Sequence, residues 1–247
     1  MYNFDNRFLA PVVLPCPRKE KKEFCRLDDF SGFLAYPLEQ IPYVAITLII
    51  AFSVHEFAHA FTAWKFGDDT AKKQGRLTLN PMSHLDPFGT ILIFIAGFGW
   101  ARPVPVNRFF FKNPRLAGVS VSFAGPLSNL ILTCLAFIIW YALVASGAAA
   151  SLPSFVPEFL DIFIGLNAVL FVFNLIPLPP LDGYRIVEDL VPRDLRAKMT
   201  QYEQYGTLIF LILVITPLDR YTIQPIFNTV LPWLVGGLNE FFYGWFF

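Results

Sequence analysis

The segment IPYVAITLIIAFSVHEFAHAFTAWKF, Ile41–Phe66, decides how this chain folds. Pro42 to Val54 is an uncharged apolar run, and the segment stops at Gly67-Asp68-Asp69, a helix-ending signal. It reads as a membrane-spanning helix. Just after the apolar run it carries Ser53-Val54-His55-Glu56-Phe57-Ala58-His59-Ala60, two imidazoles and a carboxylate where the hydrocarbon penalises each one. On a helix, residues four apart share a face, so His55 and His59 can aim at one metal ion with Glu56 beside them. The bland alternative is a pair of interfacial histidines with Glu56 reaching toward the headgroups.

The rest of the chain agrees with a membrane setting. Of 247 residues, 55% are hydrophobic and only 15% charged, where a soluble domain carries about 25% charged. Mean hydropathy is +0.52. The formal net charge of zero gives no reason to expect nucleic acid as a partner. Three cysteines are too few for a disulfide framework. Cys134 reads as a buried free thiol, and a Cys16–Cys25 pairing is a weaker option. Residues 1–32 put Arg18, Lys19, Lys21, Lys22 and Arg26 behind a short apolar piece, the reverse of signal-peptide order. They read as a polar, loosely ordered extension to a functional unit over residues 33–247.

The expected fold is an all-α polytopic membrane protein with about five spans, four to six being the range. They fall at about Ile41–Phe66, Leu116–Val144, Ile162–Ile176, Gln204–Leu218 and Tyr221–Phe247. Between the first two, Ile91–Trp100 is apolar but too short to cross a layer of ~30 Å, so a re-entrant element is expected. Alternation in Gly75–Asn80 and Val104–Asn107 predicts short strands, a hairpin whose edges could pair with an extended substrate. Basic residues follow the first span (Lys65, Lys72, Lys73, Arg76), precede the second (Arg102, Arg108, Lys112, Arg115) and follow the third (Arg185, Arg193, Arg196, Lys198). The loop at about Ala145–Pro157 has none. The positive-inside rule puts the basic loops in the cytoplasm, while the basic extension would lie outside, against the rule.

A catalytic zinc takes three protein ligands and keeps a position open. For the third ligand the sequence offers His84, in NPMSHLDP, and Asp182, in NLIPLPPLDG at the end of a run uncharged from Ile162. Pro177, Pro179 and Pro180 break the helix there, and Gly183 removes bulk beside the carboxylate. Asp182 alone would read as an N-cap of the helix begun by GYRIVEDL. Asn129, in AGPLSNL, and Asn174 are intramembrane amides that need partners. Helix–helix hydrogen bonding is the ordinary reading, and an oxyanion donor the other one for Asn129. Gly125 and Pro126 would kink that helix and admit a close neighbour.

Taken in order, HEFAHA, GRLTLNPMSHLDPFGT, GWARPVPVN, AGPLSNL and NLIPLPPLDG resemble the site-2 protease family of intramembrane zinc metalloproteases (peptidase family M50), in its compact bacterial form without PDZ or CBS domains. The resemblance covers about Phe33 to the C-terminus. It implies His55, His59 and Asp182 as ligands of one Zn2+, Glu56 as the catalytic glutamate and Asn129 as an intramembrane asparagine that stabilises the transition state. It also implies a cytoplasm-facing active site in the cell membrane, with a transmembrane protein or peptide as substrate and lipid as surroundings. Rival readings are weaker. Membrane di-iron enzymes need about eight histidines, and this chain has three. A transporter predicts inverted repeats, which are not evident. Nor does a transporter give a reason for a glutamate between paired histidines; the third rival, a non-catalytic chaperone or scaffold on the same fold, predicts that Glu56→Gln is silent.

Overall fold

In the computed structural model of the protein, residues 36–96 and 99–247 are described. Among them there are nine α-helices and no strand. They are α1 (Ile41–Lys65), α2 (Thr70–Lys73), α3 (Pro87–Ala96), α4 (Pro114–Ala145), α5 (Phe155–Asn174), α6 (Asp182–Leu190), α7 (Arg193–Ile215), α8 (Asp219–Thr222) and α9 (Gln224–Phe246). Three are long and apolar enough to cross a membrane: α1 with the turn before it, α4 and α5. At 1.5 Å per residue the 32 residues of α4 extend ~48 Å, well beyond a ~30 Å hydrocarbon layer.

Local chemistry sets these boundaries. Pro42 lies in the first turn of α1, where its missing N–H costs nothing. The helix ends in Gly67 at φ 104, a left-handed residue whose N–H donates to Trp64 O. The Asn113 side chain caps α4 by accepting from Leu116 N. The third span begins earlier than expected, at Phe155, so Glu158 and Asp161 sit inside it. Helix α7 takes in the polar stretch from Arg193 as well as the apolar block from Gln204.

The strand expectation is overturned. Gly75 turns the chain at φ 68, and Pro81–Ser83 is a 3-10 turn. Over 101–107, Pro103 and Pro105 lack the N–H a ladder needs, and Arg102, Val104 and Asn107 donate elsewhere: to His84 O, Glu56 Oε2 and Asp68 Oδ2. No amide of these three is left to pair an incoming strand. Gly99 lies against α3, where a Cβ would fall 2.5 Å from Ile93 Cγ1 and collide with Gly89 O. The N-terminal extension and the Cys16–Cys25 pairing lie outside the described residues. Cys134 is a free thiol, but half-buried rather than buried.

Helix α4 is the centre of the bundle and packs against α1, α5, α6 and α9. Phe137, Trp140 and Tyr141 of α4 meet Leu160, Ile164 and Ala168 of α5 and Val235 and Phe242 of α9. Val44, Leu48 and Phe52 of α1 meet Ile93 of α3 and Ile162 and Leu166 of α5. In lipid, burying apolar surface gives helices no net drive together, so close contact between small residues carries the association. Ala51, Ala60 and Ala63 of α1 and Ala117 of α4 are fully buried. Large apolar side chains such as Ile46, Phe61, Ile131, Leu135 and Ile139 face outward, as a lipid solvent allows.

Candidate metal centre

His55 and His59 lie on the face of α1 turned toward α4, both buried. His59 Nδ1 is 2.7 Å from Val121 O, and a carbonyl only accepts, so Nδ1 carries the proton. His55 Nδ1–H donates to Asn129 Oδ1 at 2.7 Å. With the Nδ1 atoms protonated, each Nε2 of a neutral ring is a bare lone pair. The two Nε2 atoms lie 3.0 Å apart. Asp182 Oδ2 stands 3.1 Å from His55 Nε2 and 3.3 Å from His59 Nε2, buried and with no hydrogen-bond donor.

Two imidazole nitrogens and one carboxylate oxygen from two helices thus converge within 4.8 Å of one another. Alone, such a cluster is electrostatically unfavourable; a cation among them reverses the sign. Two imidazole nitrogens and one carboxylate oxygen are also a zinc donor set that leaves a position open. The residues therefore fit the ion.

The backbone around the cluster is built for close approach. A Cβ on Gly125 of α4 would fall 2.6 Å from His55 Nε2 and closer still to His59 Nε2, so only glycine lets α4 cross α1 there. Pro126 follows inside the helix and removes one rung of its ladder. Asp182 is the first residue of α6, after the break at Pro177–Pro180; the cap position belongs to Leu181, with no side-chain cap bond. Asp182 therefore turns to the histidines and does not cap. Gly183 has a different task from the one expected: a Cβ there would strike Leu175 O and Ile176 O, so it lets α6 close onto the end of α5.

Glu56 is buried, and its Oε2 accepts the Val104 N–H at 2.8 Å. The loop GWARPVPVN thereby holds the carboxylate next to the ligand helix. Arg76, itself buried, braces this loop by donating to Arg102 O at 2.6 Å. His84 is fully buried, with Nε2 on Thr78 O at 2.7 Å, and is not in the metal group; it ties the two loops instead. Asn174 donates to Leu170 O of its own helix. The Asn129 amide is occupied on both sides: Oδ1 by His55, and Nδ2 donating to Asn167 Oδ1 at 3.2 Å. Sequence reasoning missed Asn167, although the signal was the one used for Asn129, an amide in an uncharged apolar block.

The far end of α6 carries a second polar cluster. Glu188 accepts from Arg185 at 3.1 Å, Arg108 at 3.3 Å and Thr200 at 2.6 Å. Asp189 Oδ1 lies 3.0 Å from Arg108 and 2.8 Å from Arg196, ion pairs that lack hydrogen-bond alignment. Arg185 also pairs with Glu203. Burial pushes the Glu188 carboxyl up, but Thr200, Arg185 and Arg108 outweigh it and hold the group below its ordinary range.

A helical membrane protein with a buried two-histidine, one-carboxylate centre and an adjacent glutamate defines a class, the membrane metallohydrolases. Comparison with known proteins narrows it. Residues 143–216 match the model of peptidase family M50. A Bacillus subtilis (strain 168) protein named as a zinc metalloprotease, YwhC, is 63% identical over 198 residues, 79% of this chain and 90% of the relative. Rip2 of Mycolicibacterium smegmatis, also named as a zinc metalloprotease, is 30% identical over 237 residues, 85% of this chain and 86% of the relative. Rip2 of Mycobacterium tuberculosis H37Rv is 33% identical over 199 residues, 75% and 70% of the two chains. No solved structure gives a significant match. The chain belongs to the site-2 protease family of zinc metalloproteases, peptidase family M50.

Proposed function

We propose that the protein is a zinc-dependent intramembrane endopeptidase that hydrolyses peptide bonds in or near membrane-spanning segments. His55, His59 and Asp182 hold the zinc, and Glu56 is the general base. The observation that carries this reading is the convergence of two imidazole nitrogens and one carboxylate oxygen from α1 and α6 within 4.8 Å of one another. Zinc supplies Lewis acidity, polarising a carbonyl and bringing the pKa of water toward ~7.

The chain's own residues do the rest. Glu56 takes a proton as water adds to the scissile carbonyl and returns it to the departing amine, so the C–N bond breaks with no net change on the enzyme. Its bond from Val104 N–H aims that carboxylate before substrate arrives. Asn129 serves as the partner that fixes the His55 tautomer; because its N–H2 is engaged by Asn167, this supports a positioning role over an oxyanion donor. The short apolar α3 is a re-entrant element of a five-span topology, with residues 33–247 as the working unit. Arg76, Arg102, Arg108 and Arg115, in the stretch between α1 and the body of α4, favour a cytoplasmic face in a bacterial cell membrane. The substrate is then a transmembrane protein or peptide that unwinds locally to present its carbonyl.

Glu56→Gln tests this. Cleavage of a transmembrane reporter in proteoliposomes falls by about three orders of magnitude, while zinc measured in the purified variant stays at the wild-type level. Unchanged cleavage would sink the proposal.

A further inference from the structure

We infer that Asn167 is a positioning residue for the metal: it sets the polarity of a hydrogen-bond relay across three helices that keeps the His55 Nε2 lone pair free for zinc. The inference rests on the zinc reading above.

The relay runs from α1 through α4 to α5, and both of its amides are fully buried. Read from the far end, its direction is forced. Phe163 O is a main-chain carbonyl and only accepts, so the atom of Asn167 facing it at 2.8 Å is Nδ2. Asn167 Oδ1 must then face Asn129, which answers with Nδ2 at 3.2 Å. That leaves Asn129 Oδ1 toward His55, so Nδ1 of the ring must donate, at 2.7 Å. One carbonyl on α5 thereby dictates which nitrogen of a histidine on α1 carries the proton.

Suppose the Asn129 amide were reversed. Its N–H2 would face Nδ1, and the His55 proton would move to Nε2, into the space shared with His59 Nε2 and Asp182 Oδ2. A protonated Nε2 cannot ligate a metal. Among the described residues, the only other restraint on the Asn129 amide is Ala51 O, at 3.5 Å and the edge of hydrogen-bond range. Asn167 is therefore the group that makes one orientation preferred. His59 needs no such device, because its Nδ1 partner is already a main-chain carbonyl, Val121 O. The two histidines thus reach the same tautomer by different routes, and only the His55 route is breakable by side-chain substitution.

The test is zinc affinity of the purified full chain, measured by competition with a chromophoric chelator, alongside helix content by circular dichroism. Asn167→Leu weakens zinc about tenfold, the scale of outer-shell partners, with helix content unchanged. Asn167→Ser gives the same loss, since its hydroxyl can satisfy Phe163 O but is too short to reach Asn129; the result does not hang on whether the leucine variant folds. Asn167→Asp, which keeps an acceptor toward Asn129, retains near wild-type affinity. In an Asn129→Ala background, Asn167→Leu costs nothing further, because the relay is already cut. Zinc binding by Asn167→Leu and Asn167→Ser equal to wild type overturns the inference alone, as does full additivity with Asn129→Ala. A wild-type chain that takes up no more zinc than His59→Ala overturns the zinc reading and the relay with it.

Discussion

Helix α6 has a carboxylate problem at each end and solves it in two ways. At its C-terminal end Glu188 and Asp189, with Glu203 of α7, meet Arg108, Arg185 and Arg196. Every carboxylate there has an arginine within ion-pair distance. At the N-terminal end Asp182 meets two imidazoles through their Nε2 atoms, while their Nδ1 atoms face Asn129 and Val121 O. No arginine or lysine lies within ion-pair distance of it among the described residues. One end is electrically closed and the other is left open for a cation. Burial alone does not mark a metal site; an uncompensated carboxylate among lone pairs does.

The contrast is broken most severely by exchanging the treatment of the two ends. Asp182→Ala abolishes stoichiometric zinc, read by elemental analysis, and cleavage goes with it. Glu188→Gln leaves the zinc in place. Next comes Gly125→Ala, whose methyl would collide with both Nε2 atoms. Zinc affinity falls by about ten- to a hundredfold, the scale of a misplaced ligand shell, in a chelator competition. A smaller effect follows Arg108→Gln, which leaves Glu188 with Arg185 and Asp189 with Arg196. Detergent-solubilised protein loses about 2 kcal/mol of stability, the worth of a hydrogen bond to a charged group, without losing zinc per folded chain.

The smallest effect is a pH dependence. Because the Glu188 carboxyl is held below its ordinary value of 4.5, its contribution to stability is fully present above that pH. The contribution is lost as pH falls through the lower folded value. Thermal unfolding of the wild type therefore drops more steeply than that of Glu188→Gln on acidification below pH 4.5. Parallel curves would deny Glu188 its place in the network.

What could be read beforehand follows from where the information resides. His55, Glu56 and His59 are legible because their spacing is local and the helix converts spacing into a shared face. Asp182 is legible because a lone carboxylate after an uncharged run is costly. The strands over Gly75–Asn80 and Val104–Asn107 were misread because alternation ignores Pro103 and Pro105 and cannot see that side chains such as Glu56 and Asp68 take the remaining amides. The ion cluster was invisible for another reason. Arg108 and Glu188 are 80 positions apart and share no periodicity, so nothing in the chain pairs them before it folds. Gly125 was read as a kink that admits a close neighbour, but nothing in the sequence says that the neighbours are imidazoles of another helix. Asn167 was overlooked beside Asn129, though the cost of a buried amide applies equally to both.

The ligands are also separated in time. Asp182 follows His59 by 123 residues, which at ~5–20 residues per second of synthesis is a delay of roughly 6–25 s. Throughout that interval the emerging chain holds His55 and His59 without the carboxylate that meets them in the fold. The hydrolytic centre closes only after α4 and α5 have been made and α6 begins. On the proposed ligand set, no complete centre can form until most of the bundle that surrounds it has been synthesised.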